Sequence, residues 1–130
     1  MPTLHFDPKS NIVIVEVKLW GSLVTTSRMV FDTGASLVVI PWKVAVALDV
    51  KVNSKQTIET TTASTVESAP LVTISKVSVL GERITNVEAL VKDLPPMAGV
   101  DGLLGLSFIR YFNVKIDFKI GRLTLERIRD

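Results

Sequence analysis

The sequence predicts an all-β protein, a small closed barrel of short strands with one or two short helices. The chain has 130 residues, of which 47% are hydrophobic and 22% charged, which is typical of one globular domain with a buried core. Short stretches rich in Val, Ile and Thr alternate apolar with polar residues, which indicates half-buried strands. Glycine-containing turn signals separate these stretches, and no linker or low-complexity segment interrupts them, so we predict a single domain over residues 1–130.

The first predicted element is a hairpin. Asn11–Leu19 alternates an apolar face with charged residues on the other face, such as Glu16 and Lys18. Trp20-Gly21-Ser22 is a turn signal, and Leu23–Phe31 is a second apolar-rich stretch. The predicted apolar face of the first strand consists of Val13, Val15, Val17 and Leu19.

A polar interruption and a short helix follow the hairpin. Asp32-Thr33-Gly34-Ala35-Ser36 is small and polar, after which Leu37–Ile40 resumes as a short apolar strand. Pro41 suits the first turn of a helix, where its missing N–H costs nothing. Trp42–Leu48 is therefore the predicted helix.

The middle of the chain predicts two hairpins. Thr57–Ser68 is dominated by Thr, Ser and Glu, which favours an exposed, projecting hairpin. Leu71–Leu80 and Arg83–Val91 are predicted strands joined at Gly81-Glu82. Asp93–Gly99, which contains two consecutive prolines, is predicted to be a loop.

The last third of the sequence predicts a short buried apolar segment, a helix and a final hairpin. Leu103-Leu104-Gly105 is the apolar segment, preceded by a predicted turn at Asp101-Gly102, and Ser107–Phe112 is the short helix. Asn113–Phe118 and Arg122–Arg127 alternate in the manner of strands around Gly121, which predicts the closing hairpin.

Composition narrows the classes of partner and compartment. The formal net charge is only +2 and the cations are scattered, so neither a nucleic acid nor a membrane surface is expected as a partner. The chain has no cysteine, and no cluster of His, Asp and Glu has metal-ligand spacing, so we expect no disulfide, metal or cofactor. No stretch reads as a signal peptide or a bilayer span. We expect a cytoplasmic location, with an anchor elsewhere in a longer natural protein left open.

The residues that could carry chemistry lie together at Phe31-Asp32-Thr33-Gly34-Ala35-Ser36. A carboxylate in a tight turn between buried strands is costly unless it is hydrogen-bonded. Gly34 can offer its N–H at close range because it has no side chain, and Thr33 and Ser36 add hydroxyls. Taken alone, this segment fits either a turn that caps a strand end or a catalytic carboxylate.

Four features in order give the sequence its resemblance to the retropepsin-like aspartic peptidases of retroviruses and bacteria. The segment Phe31–Ser36 resembles their active-site signature, and the strand Leu37–Ile40 with the helix opening at Pro41 follows it as in the family. The exposed stretch Thr60–Thr65 stands at the position of the family's flap. Leu103-Leu104-Gly105 resembles its second motif, two hydrophobic residues and a glycine. Together these features cover Ile12 to Leu125.

The resemblance implies an aspartic endopeptidase that hydrolyses peptide bonds in extended polypeptides. Two carboxylates that share a proton supply both an activated water and a proton donor. The chain offers Asp-Thr-Gly only once, so the resemblance implies a homodimer with the two Asp32 side chains meeting at a two-fold axis. One protonated Asp32 would polarise the scissile carbonyl, and the ionised one would deprotonate the water.

The same resemblance implies a role for each neighbouring residue. Thr33 would link the two active-site turns, Gly34 would donate its N–H to the carboxylate, and Ser36 would brace it. Gly105 would allow tight packing beneath Asp32. The full set of implied site residues comprises Asp32, Thr33 and Gly34 as catalytic, Thr61, Thr62, Ala63, Ser64 and Thr65 as the substrate-binding flap, and Ala35, Ser36, Leu103, Leu104 and Gly105 as supporting.

Departures from the family pattern leave alternatives open. Retroviral members commonly carry an acidic residue at the position of Ser36 and an arginine at that of Leu106, paired in the dimer. Thr65 stands where bacterial relatives often have a flap glycine, so the second hypothesis is a catalytically silent dimer that binds peptides. A third is a monomeric structural domain. Thr124–Ile128 is a candidate for the terminal strand that joins retroviral subunits.

Overall fold

A computed structural model describes residues 2–53, 55–61, 66–96 and 99–129 of the chain. Ten strands and two short helices follow one another in these ranges, which confirms the predicted all-β class. The elements are β1 Thr3–His5, β2 Ile14–Trp20, β3 Val24–Phe31, β4 Val38–Ile40, α1 Trp42–Leu48, β5 Thr57–Thr61, β6 Val66–Val79, β7 Glu82–Val91, β8 Gly102–Leu104, α2 Leu106–Ile109, β9 Phe112–Asp117 and β10 Arg122–Arg127.

Six strands close into the predicted barrel. They run in the order β2-β3-β8-β4-β7-β6, and β6 pairs back onto β2 from Val17↔Val79 to Trp20↔Lys76. Strands β2 and β3 form the predicted antiparallel hairpin, as do β6 and β7. Strand β5 extends outward from β6, and β1, β10 and β9 form a separate three-stranded sheet.

The barrel core follows from the alternation of apolar and polar residues along the strands. On β2, Val15, Val17 and Leu19 are buried, while Glu16 and Lys18 on the opposite face are exposed, as predicted. Phe108 from α2 is also fully buried, with its ring centroid 5.0 Å from that of Phe112. Full burial of an aliphatic or aromatic side chain of this size contributes about 1.5–3 kcal/mol each, so these residues provide a large part of the stability.

Helix α1 has the bounds that the sequence predicted. Pro41 is the N-cap residue at φ −73°, so the helix begins at the residue after it. The helix ends at Leu48, and the next residue, Asp49, has a left-handed backbone and donates its N–H to the carbonyl oxygens of Ala45 and Val46. Neither helix of the described ranges is long and apolar enough to cross a membrane.

Three elements differ from the predictions. Helix α2 covers Leu106–Ile109 rather than Ser107–Phe112, because Phe112 turns into the core as the first residue of β9. Strand β6 continues through Pro70, which faces Thr57 of β5, whereas the sequence suggested two separate segments. Strand β1 was not predicted, since three residues carry too short a pattern to recognise.

The C-terminal strand lies in the middle of its sheet. Over Arg122–Thr124, β10 pairs with β1 on one side and with β9 on the other. The N–H of Leu125 also donates to the carbonyl oxygen of Pro2. Arg122–Thr124 is therefore paired along both edges within one chain, and it includes Thr124, the first residue of the predicted dimer strand Thr124–Ile128.

Candidate active site

The Asp32 turn leaves the barrel where β3 and β8 run parallel. Phe31, the last residue of β3, pairs with Leu104, and the N–H of Asp32 donates to the carbonyl oxygen of Leu104 at 3.0 Å. The side chain of Asp32 is half-buried, while that of Phe31 is buried. The fold therefore places the carboxyl group at the margin of the core, where it is held by the barrel and still reached by solvent.

The carboxyl group of Asp32 organises the turn that follows it. The N–H of Gly34 donates to Asp32 Oδ1 at 2.8 Å, and the N–H of Ala35 donates to the backbone oxygen of Asp32 at 3.3 Å. A Cβ at position 34 would lie 3.1 Å from Oδ1, so glycine leaves this oxygen uncrowded. Thr33, Gly34 and Ser36 are exposed in the single chain, which leaves this side of the turn open to solvent.

The second motif lies against the same turn. Leu104 is fully buried and Leu103 half-buried in β8. The backbone of Gly105 passes so close to the turn that a Cβ there would lie 2.6 Å from the carbonyl carbon of Leu37 and 2.7 Å from the carbonyl oxygen of Ala35. The N–H of Leu106 then donates to that oxygen of Ala35 at 2.8 Å. Of the supporting residues named from the sequence, Ala35 and Gly105 are thus in direct contact, and Leu104 bonds to Asp32.

Ser107 is a contact residue of the turn that the sequence did not single out. Its hydroxyl accepts a hydrogen bond from the N–H of Val38 at 2.9 Å and donates one to the carbonyl oxygen of Glu88 at 2.7 Å. In the sequence, a serine near the start of a helix is most simply interpreted as a cap. The sequence around Ser107 does not predict its hydrogen bond to Val38, which is 69 positions away.

A second apolar cluster, separate from the barrel core, adjoins the site. Val39, Ala69 and Leu90 are buried in it, and four leucines that keep some exposure pack against it. It connects the active-site turn, the second motif and the base of the β5–β6 hairpin. We call it the apolar wall; its partly exposed members are Leu37, Leu71, Leu94 and Leu103.

The hairpin predicted as a flap is described at its base. Strand β5 pairs with β6 from Thr57↔Pro70 to Thr61↔Val66. The backbone of Thr61 is the last described part of β5, and Thr62, Ala63, Ser64 and Thr65 lie outside the described residues. In the sheet order β5 is the terminal strand beyond β6, which agrees with a projecting hairpin.

An ion pair holds the chain just before the second motif. Lys43 Nζ lies 2.8 Å from Asp101 Oδ1, and the buried hydroxyl of Ser27 donates to Asp101 Oδ2 at 3.2 Å. The hydrogen bond from Lys43 is the main cause that lowers the pKa of Asp101 below its ordinary value, against a smaller opposing effect of burial. Gly102 is the first residue of β8 rather than part of the predicted turn, with its α-carbon packed on the backbone of Val39.

The acidic side chains at and near the Asp32 turn make hydrogen bonds and an ion pair within the protein. Among the described residues, no group of three or more His, Asp or Glu side chains could hold a metal ion. Within the turn, the carboxyl group of Asp32 accepts the N–H of Gly34. The carboxyl group of Asp101 forms an ion pair with Lys43 and accepts a hydrogen bond from Ser27. The groups that the turn itself presents are a carboxyl group and its hydrogen-bond donors.

Comparison with known proteins agrees with this geometry. No curated protein matches the chain in sequence. In fold, the chain is similar to a retropepsin-like aspartic protease from Rickettsia conorii, known from a crystal structure, with a TM-score of 0.66 and 20% sequence identity over 95% of this chain and 87% of that one. Residues 15–108, which include both the Asp32 turn and the second motif, match the family described as aspartyl protease. The chain therefore belongs to the aspartyl protease family and has a retropepsin-like fold.

Proposed function

We propose that the protein is an aspartic endopeptidase in which Asp32 of two identical subunits activates one water molecule against a peptide bond. The observation that carries this proposal is the Asp32 turn itself. Its carboxyl group is half-buried, accepts the N–H of Gly34 at 2.8 Å and lies beside side chains open to solvent. A turn that merely ended a strand would not need the second motif packed against it at backbone contact distance.

The mechanism needs two carboxyl groups in different protonation states. An ionised carboxylate takes a proton from water as the oxygen attacks the carbonyl carbon, and a protonated carboxyl group polarises the carbonyl oxygen. The proton is then delivered to the leaving nitrogen as the C–N bond breaks. Two carboxyl groups close together cannot both ionise readily, so the pair supplies both forms and titrates as a unit.

The second carboxyl group is proposed to come from a second copy of the chain. The sequence contains Asp-Thr-Gly once, and Thr33, Gly34 and Ser36 are exposed in the single subunit. A two-fold axis beside this exposed side would bring the two Asp32 side chains together and cover Thr33. The same arrangement would place two projecting hairpins over one shared cleft.

The substrate class follows from what surrounds the turn. The apolar wall offers partly exposed leucines, of which Leu37 follows the Asp32 turn and Leu103 lies in the second motif. This favours apolar side chains on either side of the scissile bond. The β5–β6 hairpin would close over a substrate in extended conformation and exclude water during the reaction. We therefore propose unfolded or extended polypeptide segments with apolar residues at the cleavage point as substrates.

The decisive experiment compares Asp32→Asn with Asp49→Asn. Asp49 is exposed and has φ 54°, a conformation that asparagine tolerates, so the control makes the same carboxyl-to-amide change away from the site. With peptides carrying apolar residues, Asp32→Asn should lose at least about 10³-fold in rate, as expected when general acid–base catalysis is removed. Asp49→Asn should retain the wild-type rate.

Sedimentation of the same proteins tests the dimer. Wild type and Asp32→Asn should both sediment as two chains, since the substitution removes chemistry and not the interface. Cleavage by Asp32→Asn at the wild-type rate, or an active species of one-chain mass, would contradict the proposal. Peptide binding without turnover at any acidic or neutral pH would instead identify the silent peptide-binding dimer.

A further inference from the structure

The segment Leu104–Ser107 contacts the active-site turn at four consecutive residues. Each contact meets a different point between Asp32 and Val38, so the two segments lie side by side. In order, the carbonyl oxygen of Leu104 accepts from Asp32, the backbone of Gly105 packs on Leu37, the N–H of Leu106 donates to Ala35, and the hydroxyl of Ser107 accepts from Val38.

Ser107 differs from the other three because its contact is made by a side chain. The bonds of Leu104 and Leu106 use backbone atoms, and Gly105 contributes only the absence of a Cβ. Val38 is the residue at which the turn passes into β4. At the far end of the turn, the hydroxyl of Ser107 therefore adds a side-chain contact to the pairing of β4 with β7, whereas the near end at Asp32 is fixed by the backbone of β8.

The hydroxyl of Ser107 both donates and accepts a hydrogen bond in this position. It donates its one proton to the carbonyl oxygen of Glu88, and one of its two lone pairs accepts the N–H of Val38. Val38 pairs with Ala89, the residue after Glu88, in the parallel ladder between β4 and β7. Ser107 thus bridges the two strands at the start of their ladder, and its 9% exposure leaves little room for water to replace it.

We infer that Ser107 is a positioning residue for Asp32, acting through the amide of Val38. This inference rests on the proposed function, because it assigns a role in the same active site. Without the hydroxyl, the N–H of Val38 and the carbonyl of Glu88 lose their partner in a buried place, and the end of the turn must move to find another. A displacement of about 1 Å at a reacting group can cost about 10²-fold in rate.

The test uses the two buried serines as a matched pair. Ser27 and Ser107 are the buried polar residues of the described chain, and Ser27 bonds to Asp101 rather than to the turn. Ser107→Ala should lower kcat about 10- to 100-fold while KM stays within about twofold, the pattern of lost positioning rather than lost binding. Both variants should be less stable than the wild type, because each loses a buried hydrogen bond. Ser27→Ala should nevertheless keep kcat within about twofold of the wild-type value.

Two further variants separate geometry from folding. Ser107→Thr retains the hydroxyl and should recover most of kcat. Ser107→Cys fills nearly the same space, but a thiol forms only weak hydrogen bonds, so its kcat should be as low as that of Ser107→Ala. It therefore replaces the alanine variant in the test if that variant folds poorly. In Ser107→Ala, hydrogen exchange at the amide of Val38 should accelerate relative to Ser27→Ala, which gives a readout independent of cleavage.

These readouts also separate this inference from the proposed function. If the wild type cleaves and Ser107→Ala cleaves equally well, or if Ser27→Ala loses as much kcat, the inference is overturned while the peptidase stands. If the wild type does not cleave, the proposed function fails. Hydrogen exchange at the amide of Val38 then still tests whether Ser107 holds that end of the turn. Protection of Val38 that is equal in both alanine variants would then overturn the role of Ser107.

Discussion

Replacing Gly105 by alanine tests whether the active-site turn depends on backbone packing beneath it. The added Cβ would lie 2.6 Å from the carbonyl carbon of Leu37 and 2.7 Å from the carbonyl oxygen of Ala35. Ordinary contacts between such atoms are about 3.5 Å, so the turn must retreat by roughly 1 Å. Both obstacles are backbone atoms, which no change of rotamer can relieve. We expect a loss of about 3 kcal/mol in the free energy of unfolding.

The same displacement should impair catalysis beyond its effect on stability. A shift of about 1 Å at Asp32 predicts a fall in kcat of about 10²-fold in the fraction that remains folded. Chemical denaturation measures the first effect, and cleavage under conditions where the variant is folded measures the second. Gly81→Ala is the control, because its Cβ meets nothing within 4 Å and only its φ of +82° is unfavourable.

Gly81→Ala gives the loss of stability against which Gly105→Ala is compared. Alanine at a left-handed position costs about 1 kcal/mol, so Gly81→Ala should lose that amount and retain full activity. If Gly105→Ala is no less stable than Gly81→Ala and is equally active, then the second motif does not support the turn through close backbone contact. Glycine at position 105 would in that case have no role in holding Asp32.

Two other substitutions test the core and the ion pair. Phe108→Ala removes a fully buried ring that packs on Phe112, and it should lower the free energy of unfolding by about 3–5 kcal/mol in denaturant titration, whereas loss of less than about 1 kcal/mol would contradict this core. Asp101→Asn removes the ion pair with Lys43, and because Lys43 is 72% exposed the cost at neutral pH should be about 1 kcal/mol or less. The folded-state pKa of Asp101 is lowered, so its contribution to stability is present above the ordinary pKa of 3.8 and is lost as pH falls through the folded-state pKa. The difference between wild type and Asp101→Asn should therefore shrink below about pH 3.8, and a difference that grows in acid would refute the assignment.

The sequence predicted those elements whose patterns are local. Alternation over Asn11–Leu19 located β2, with Val15 and Val17 inside the barrel, and Pro41 marked the beginning of α1. The closed barrel itself is confirmed, and so are the hairpins around Gly81 and Gly121. In each case a period or a turn residue within about ten positions carries the information.

What the sequence did not predict depends on residues far apart in the chain. Strand β1 exists because Thr3–His5 pairs with β10 more than a hundred residues later. Ser107 gains its meaning only once the fold brings it to Val38. The short helix α2 ends before Phe112 because that side chain is needed in the core, which local propensity does not reveal.

The pairing of β1 with β10 completes the three-stranded sheet within one chain. Thr3 lies opposite Thr124, so residues far apart in the sequence join the same sheet. If the protein is the dimer proposed above, we expect each subunit to fold first and the folded subunits to associate afterwards. Under the proposed mechanism, dilution would then abolish cleavage while leaving secondary structure intact, and the amount of protein present would itself act as the switch.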